Sequence, residues 1–311
     1  MEKRWQSMLI AAEKNAVTDI HFLIQDDQVE IKMRNAQGMK EYPSDPSDLK
    51  VCYYLAYLSN LDLTDQMRPQ SGAFSYLLYD KRMYFRYSML TSLSSISFTL
   101  RILYRKVIKE EVSMLKEDNR IFNEAIRKDS GLILLSGPTG SGKTSTTYAL
   151  LKKIKNREIY TIEDPIELPL DNAIQVQVNP KSGLTYAEGI RQLMRHDPDV
   201  IFIGEIRDEN EAKMAIRAAL TGHLVISTIH ARNCVGVFHR LKDLNVNLFD
   251  LYETAILITN QRLLSTGEKK ERVCVYETMD EEEILYYREH QKLSETFVPL
   301  SEKRNQLSLP E

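Results

Sequence analysis

The segment Gly131–Thr144, with the sequence GLILLSGPTGSGKT, constrains the fold of this chain more than any other stretch. It opens with the wholly apolar run Leu132–Leu135, which is typical of a strand buried on both faces. A full match to the phosphate-binding loop pattern G-x-x-x-x-G-K-[ST] follows. The matching residues are Gly137, Pro138, Thr139, Gly140, Ser141, Gly142, Lys143 and Thr144. A strand before the loop and a helical pattern after it favour a phosphate site over a chance glycine turn.

Each residue type in this loop has a chemical reason to be there. The glycines let the backbone curl, so that consecutive N–H groups can point at one anion. Lys143 is placed to reach the outer phosphates of a nucleotide, and the Thr144 hydroxyl is a candidate ligand for Mg²⁺. The positive end of the following helix faces the same anion. The loop therefore predicts binding of a nucleotide with Mg²⁺.

The first third of the chain predicts a small α+β domain. With 311 residues, the chain is long enough for about two domains. The predicted elements are helices over 3–17 and Leu49–Asn60, and strands from Asp19 and over Val29–Met33, Met83–Met89 and Ser97–Leu103. We place this domain at residues 1–105 and expect it to end in a basic linker, Arg101 to Lys109.

From Val112 onward the pattern changes to α/β. Helical segments alternate with short apolar strands, which indicates a mainly parallel sheet with crossover helices. The predicted strands are Leu132–Leu135, Ile159–Ile162, Val200–Ile203 and Val225–Ser227. Two helices carry start signals, Thr185 with Glu188 and Asp208 with Glu211. We expect Gly222 to end the second of these helices, and the polar tail from Ser301 to be frayed.

Composition excludes several classes of protein. The formal net charge of −3, from 41 basic and 44 acidic residues, disfavours a surface devoted to nucleic acid. No apolar run approaches the roughly 18 residues of a membrane span. No signal-peptide core follows Met1, so we expect a cytosolic protein. Cys52, Cys234 and Cys274 lack C-x-x-C spacing and are expected to be buried thiols.

Reactive side chains follow all four predicted strands of the parallel sheet. Ligands bind beyond the carboxyl ends of such strands. After the phosphate loop come Glu163, Glu205 and His230, one on each remaining strand. The two glutamates are candidates for polarising an attacking water and for holding Mg²⁺ through its waters. Gly204 occupies the place where an Asp is usual. His230 is a candidate contact of the terminal phosphate; a structural histidine is the alternative.

Two arginines of the first domain are candidates for contacts to the nucleotide. If the two strands around Leu93-Ser94 form a simple hairpin, Arg86 and Arg101 lie opposite one another. Like charges at cross-strand positions are destabilising, and an anion between them would remove the conflict. We therefore predict that both are arginine fingers on a nucleotide. The alternative is a pair of solvated edge arginines.

Four ordered sequence boxes resemble a known family. They are the loop GPTGSGKT, TIEDPIE from Thr161 to Glu167, DPDVIFIGEIRD from Asp197 to Asp208, and TGHLVISTIHA from Thr221 to Ala231. This set is similar to that of the secretion ATPases of type II secretion, type IV pili and competence pseudopili, the GspE/PilB/PilT-like family. Asp19–His21 and the stretch from Phe85-Arg86 to Leu100-Arg101 resemble the family's N-terminal domain. Gln261–Leu263 and Arg272–Glu277 resemble its C-terminal region, so the resemblance covers nearly the whole chain.

The resemblance implies a function and a set of roles. It implies a PAS-like domain over 1–105 and a RecA-like ATPase domain over 106–311 with a C-terminal helical region. It implies ATP and Mg²⁺ as cofactors and a homohexamer in which the first domain packs on a neighbour's ATPase domain. Glu205 would belong to the Walker B box and the metal site, Glu163 would be the general base, and Arg86 and Arg101 would reach the γ-phosphate.

The same resemblance implies partners and a branch of the family. The partners would be a polytopic inner-membrane platform protein, ComGB/PilC-like, and indirectly pilins, at the cytoplasmic face of the membrane, without direct contact to nucleic acid. The long N-terminal docking domain and the four-cysteine zinc module of many members are missing, with only Ser265 to Glu271 as a bridge. In its compact domain organisation, this chain resembles the Gram-positive competence branch (ComGA-like). The retraction ATPases are equally compact.

The sequence therefore predicts a hexameric ATPase that drives assembly of a competence pilus or pseudopilus for DNA uptake. The segments Thr228–Ala231 and Val275–Glu277 look more like the assembly branch than the retraction branch. The alternatives are a pilus retraction ATPase and a type II secretion ATPase. A P-loop kinase, a nucleotide-dependent binding protein and a DNA translocase are less favoured.

Overall fold

A computed structural model describes residues 1–104, 111–179, 182–266 and 271–307. The chain forms two compact units, Met1–Lys106 with Glu167–Pro169, and Val107–Ile166 with Leu170–Glu311. Four expectations from the sequence fall on residues outside the described ranges. They are the boundary between 105 and 106, the linker from 105 to 109, the bridge over 267–270 and the tail from 308.

The first unit is an antiparallel sheet with two helices. Its elements are α1 Glu2–Lys14, β1 Asp19–Gln25, β2 Gln28–Asn35, β3 Gly38–Tyr42, α2 Asp48–Leu58, β4 Gln70–Leu78, β5 Lys81–Thr91 and β6 Ile96–Leu103. The strand order is β3-β2-β1-β6-β5-β4, with every neighbouring pair antiparallel. The apolar stripe of α1, from Trp5 to Ala12, is buried in the same core as the inner side chains of this sheet.

Two strands of this unit were not predicted from the sequence. Strand β3 is exposed along almost its whole length, so it lacks the alternation of apolar and polar residues that marks a half-buried strand. Strand β4 carries Gly72, where a Cβ would lie 1.9 Å from the Ser59 carbonyl oxygen. The expected linker also begins too early, because Arg101 lies inside β6 and Leu103 ends it.

The second unit is a mainly parallel sheet with helices, as the α/β prediction requires. Its first elements are α3 Lys116–Ala125, β7 Gly131–Ser136, α4 Lys143–Lys153, β8 Ile159–Glu163, β9 Ile174–Gln177, α5 Tyr186–Leu193, β10 Val200–Ile206 and α6 Glu209–Leu220. The remaining ones are β11 Leu224–Ile229, α7 Cys234–Asp243, α8 Leu248–Thr254, β12 Ala255–Thr266, β13 Glu271–Asp280, α9 Glu281–His290 and α10 Leu300–Gln306.

The strand order explains why the reactive ends meet. The order is β13-β12-β7-β11-β10-β8-β9, and only β13 runs antiparallel to its neighbour. The four predicted strands are β7, β11, β10 and β8, which are adjacent in the sheet. Strands β7 and β11 are buried at every position, as their unbroken apolar runs predict. Their carboxyl ends therefore lie side by side at one edge.

The predicted helix signals are partly confirmed. Asp208 and Glu211 form a complete capping box at the start of α6. At α5, the Thr185 side chain accepts the Glu188 N–H, but the Glu188 carboxylate bonds Arg191 and Gln192 instead of returning to the cap. Gly222 follows α6 with a φ of +96°, as expected of a residue just past a helix end.

The C-terminal part differs from the expected frayed tail. Strands β12 and β13 form a hairpin that extends the sheet, and residues 300–306 form α10. Lys303 on α10 forms an ion pair with Asp118 on α3, and both side chains are buried. Ser113 also donates to the Asp118 carboxylate at 2.8 Å. This buried pair ties the helix to the unit.

We expect Lys303→Met to destabilise the second unit by about 3 kcal/mol, because it leaves the buried Asp118 carboxylate without its cation. Lys128→Met is the matched control. Its pair with Glu281 is about half exposed, and such pairs contribute no more than about 1 kcal/mol. Combining Lys303→Met with Asp118→Leu should recover most of the lost stability. Urea unfolding followed by circular dichroism measures all of these variants; equal losses for both lysines would contradict the prediction.

Candidate functional site

The phosphate loop lies between the end of β7 and the start of α4. Gly137 and Gly142 have φ values of +144° and +90°, which only glycine adopts without strain. A Cβ on Gly137 would lie 2.5 Å from the Gln261 carbonyl oxygen, so β12 approaches the loop too closely for any other residue. The curled, tightly supported backbone has the form of an anion-binding nest.

Lys143 folds back over this loop. Its Nζ donates to the carbonyl oxygens of Gly137 at 2.9 Å and Pro138 at 3.1 Å. Burial lowers the pKa of Lys143, the carboxylate of Glu205 opposes that shift, and Arg262 adds to it. Its hydrogen-bond partners in the loop are neutral carbonyl oxygens, which an anionic ligand can displace.

A chain of hydrogen bonds joins Glu205, His230 and the loop. His230 Nε2 lies 3.0 Å from Glu205 Oε1, and His230 Nδ1 lies 3.1 Å from the Gly137 carbonyl oxygen. Both partners are acceptors, so a ring nitrogen of His230 that carries a proton can donate to the one it faces. Arg207 donates to the other oxygen of Glu205 at 3.0 Å. The structure thus brings together Lys143, Glu205 and His230 from three different strand ends.

Glu163 has a different environment from Glu205. It is 3% exposed, and its carboxylate accepts hydrogen bonds from Tyr148 on α4, from Thr161 at 2.6 Å and from Gln175 at 3.2 Å. Glu205 is 21% exposed and faces a histidine and an arginine. Of the two carboxylates at the strand ends, one is enclosed by hydroxyl and amide donors and the other is accessible.

Thr144 and Glu205 fit a magnesium ion by the chemistry of their donor atoms. A hydroxyl and a carboxylate supply hard oxygen ligands, which Mg²⁺ prefers. Thr144 is half-buried in the first turn of α4, next to the lysine on which the charge of Glu205 acts. The remaining loop residues have no side chain suited to a divalent cation apart from the Thr139 and Ser141 hydroxyls.

Arg86 and Arg101 are cross-strand partners on β5 and β6, as the hairpin register predicts. The reason given for an anion between them is weakened, however. Arg101 Nε donates to Asp19 Oδ1 at 2.8 Å, and Asp19 is its register partner on β1. The sheet itself therefore offsets the positive charge of Arg101. Both arginines belong to the first unit.

Sequence reasoning missed the residues that support the site from behind. Tyr148 reads as an ordinary core residue of α4, since only the structure shows its hydroxyl on Glu163. Asn260 and Gln261 on β12 contact the strand and loop of the phosphate site. The only signal for Gln261 was the weak resemblance of the segment Gln261–Leu263.

A family model described as "Type II/IV secretion system protein" matches residues 1–297. The chain belongs to the type II/IV secretion family. The family expected from the four boxes is thereby confirmed. Among the described residues, the structure has no helix long and apolar enough to cross a membrane.

The curated relatives of this chain include a competence protein and a type II secretion system protein. Competence protein ComGA of Bacillus subtilis (strain 168) is 33% identical over 271 residues, which are 85% of this chain and 76% of the relative. Type II secretion system protein E of Aeromonas hydrophila is 35% identical over 267 residues, 84% of this chain and 53% of the relative. The chain spans about half the length of such type II relatives.

Solved structures with similar folds confirm the fold class. The pilus retraction motor PilT with bound ADP matches with a TM-score of 0.76 and 26% identity, over 97% of this chain and 92% of that chain. The ATPase DotB of Legionella pneumophila has the same TM-score at 23% identity, over 97% and 85% of the two chains. This second likeness concerns the fold alone.

Substitution by Leu should reduce the stability of the protein by different amounts at Glu163 and at Glu205. Glu163→Leu removes an acceptor that serves the buried hydroxyls of Tyr148 and Thr161 and the part-buried amide of Gln175, so we expect it to cost about 2–4 kcal/mol of unfolding free energy. Glu205→Leu leaves only solvated partners and should cost less than about 1 kcal/mol. Urea denaturation of both variants measures these losses. A larger loss of unfolding free energy for Glu205→Leu than for Glu163→Leu would contradict the prediction.

Proposed function

We propose that this chain is the ATP-hydrolysing motor of a competence type IV pilus or pseudopilus, working as a homohexamer to assemble the fibre for DNA uptake. The observation that carries the proposal is the hydrogen-bonded chain from Glu205 through His230 to Gly137 and Lys143. It joins a metal-binding carboxylate to a complete phosphate loop, the two parts that nucleotide hydrolysis needs at one place.

The roles follow from the position and charge of each group. The loop N–H groups and Lys143 bind the β- and γ-phosphates of ATP, and Thr144 and Glu205 hold Mg²⁺. When bound, Mg²⁺ neutralises the charge that develops on the phosphate oxygens. His230 and Arg207 fix the Glu205 carboxylate. His230 also touches the loop carbonyl at Gly137, so it transmits a change in loop position to Glu205.

Glu163 is the general base in this proposal. Among the described residues, its carboxylate accepts hydrogen bonds from Tyr148, Thr161 and Gln175, and Tyr148 lies on the helix that follows the loop. A base must contact the attacking water, and Glu163 is 3% exposed, so the packing around its carboxylate has to open to admit that water. Movement of α4 when ATP enters the loop provides a route, because Tyr148 and Lys143 lie on the same helix.

The share of each relative that is matched supports the competence machine over a type II secretion ATPase. The ComGA match extends over three quarters of that protein, whereas the type II relatives are matched over about half of theirs. The nucleotide in the proposal is also supported by the ADP named in the PilT structure. A retraction ATPase and a type II secretion ATPase remain the alternative members of the same family.

The proposed assembly places Arg86 and Arg101 of one subunit at the nucleotide of its neighbour. The two residues lie side by side on one face of their sheet, and Arg101 would share its charge between Asp19 and the phosphate. The partner in this proposal is a polytopic platform protein of the inner membrane, ComGB/PilC-like, which adds pilins. The motor would lie at the cytoplasmic face of that membrane, with no direct contact to nucleic acid.

Steady-state phosphate release tests the hydrolytic site. We expect Lys143→Ala and Glu205→Gln each to lower kcat by roughly 10²-fold or more, because both groups act on charge that develops in the transition state. Lys128→Ala, at an exposed ion pair, is the control and should keep wild-type activity. Full activity in either site variant would rule out this assignment of the site.

Mixed oligomers test the shared nucleotide. In a mixture of the double variant Arg86→Ala, Arg101→Ala with Glu205→Gln, some interfaces combine intact arginines with an intact Glu205. We expect the mixture to hydrolyse ATP several-fold faster than either variant alone, because the arginines act across the interface. Arg34→Ala, two strands from Arg101 in the same cross-strand row, is the control and should be active by itself. Absence of recovery would mean that the arginines do not act in trans.

A further inference from the structure

Strand β12 continues past the end of β7 and lines the phosphate loop. The two strands are parallel neighbours, with Thr259 beside Leu135 and Asn260 beside Ser136. The next residue on β12, Gln261, therefore comes beside Gly137, the first residue of the loop. Its carbonyl oxygen lies 2.5 Å from the Cβ position of Gly137, which confirms this close approach. The loop has a wall of regular strand on one side.

The side chain of Gln261 reaches under the loop. It is 0% exposed, and its Nε2 donates to the Ser141 carbonyl oxygen at 2.6 Å, across 120 residues of sequence. The same nitrogen is 3.0 Å from the Cβ position of Gly142 and 3.3 Å from Cys274 Sγ on β13. The amide is thus fixed between the loop and the last strand of the sheet.

This arrangement has a cost in stability. Within the described ranges, Gln261 Oε1 and Ser141 Oγ are buried and find no hydrogen-bond partner. An unpaired buried polar atom is destabilising, and an apolar side chain of the same size would avoid that cost at Gln261. A polar side chain held here at a cost indicates a role for its donor bond to Ser141.

The donor bond sets the direction of a loop N–H group. A peptide unit is planar and trans, so its C=O and N–H point in opposite directions. By holding the Ser141 carbonyl towards β12, Gln261 turns the Gly142 N–H to the opposite side of the peptide unit, away from β12. That N–H is one of the donors that an anion-binding nest needs. With a φ of +90°, Gly142 has the conformational freedom to rotate without this restraint.

We propose that Gln261 is a positioning residue of the nucleotide site, which orients the Ser141–Gly142 peptide towards the phosphates. The proposal rests on the proposed nucleotide binding and adds a residue that touches no ligand itself. The neighbouring Asn260 supports the site from the other face of β12. Its Nδ2 donates to Ser136 Oγ at 2.9 Å and to the Ala231 carbonyl oxygen at 3.1 Å, just after His230. Strand β12 therefore holds both the loop and the histidine segment.

Nucleotide affinity of the full chain tests the proposal, measured by titration with Mg-ADP. Gln261→Leu keeps the size of the side chain and removes the donor, so we expect the Kd for ADP to rise about tenfold. Gln261→Glu places a carboxylate oxygen against the Ser141 carbonyl and should raise the Kd further. Cys274→Ala is the matched control, because it contacts the same amide but leaves the bond to Ser141 in place; its Kd should stay within about twofold of wild type.

A check of folding by circular dichroism and an ADP titration of Lys143→Ala separate the possible outcomes. Titrations are run at a temperature at which circular dichroism shows each variant folded, so that a lost affinity reports the loop and not unfolding. If both Gln261 variants bind ADP like the wild type while Lys143→Ala does not, the positioning role is refuted and the nucleotide site stands. If Lys143→Ala also binds like the wild type, the nucleotide site itself is wrong. The order wild type, Gln261→Leu, Gln261→Glu in affinity supports the role.

Discussion

The carbonyl group of Gly137 is the point on which the candidate site depends. It accepts hydrogen bonds from Lys143 Nζ and lies within hydrogen-bond distance of His230 Nδ1, while the backbone of β12 packs against the same residue. Three strands of the sheet thus meet at one peptide unit. A side chain at Gly137 would displace β12, and any displacement of the loop would alter the contacts of both Lys143 and His230. The close packing makes the loop, the histidine and Glu205 one mechanical unit.

Buried hydrogen bonds hold one side of this unit, whereas the side chains on its other side are partly exposed. Behind the loop, Gln261 and Asn260 fix it to β12 through buried hydrogen bonds. In front of it, Lys143, Glu205 and His230 are partly exposed and bonded mainly to each other and to loop carbonyls. An incoming phosphate can therefore replace the carbonyl partners of Lys143 without disturbing the support behind. Preorganised donors of this kind bind an anion with little reorganisation.

The sequence alone was sufficient to predict a feature where its pattern is compatible with only one local structure. The phosphate loop, the four buried strands and the register of Arg86 opposite Arg101 follow from glycine spacing, apolar runs and hairpin arithmetic. Strand β3 could not be predicted, since its side chains are exposed on both faces. The bond from Arg101 to Asp19 was missed because those residues are 82 positions apart. The same holds for Gln261, whose role depends on a strand 120 residues beyond the loop it supports.

The contrast between Glu163 and Glu205 shows how one sheet edge can hold two carboxylates in separate environments. Two exposed carboxylates at adjacent strand ends would repel each other and share one proton. Here the Glu163 carboxylate is enclosed by Tyr148, Thr161 and Gln175, while that of Glu205 lies beside two basic side chains. Each charge thus has its own donors. A base that is released only when α4 shifts Tyr148 would couple the start of hydrolysis to occupation of the loop, since both Tyr148 and Lys143 move with that helix.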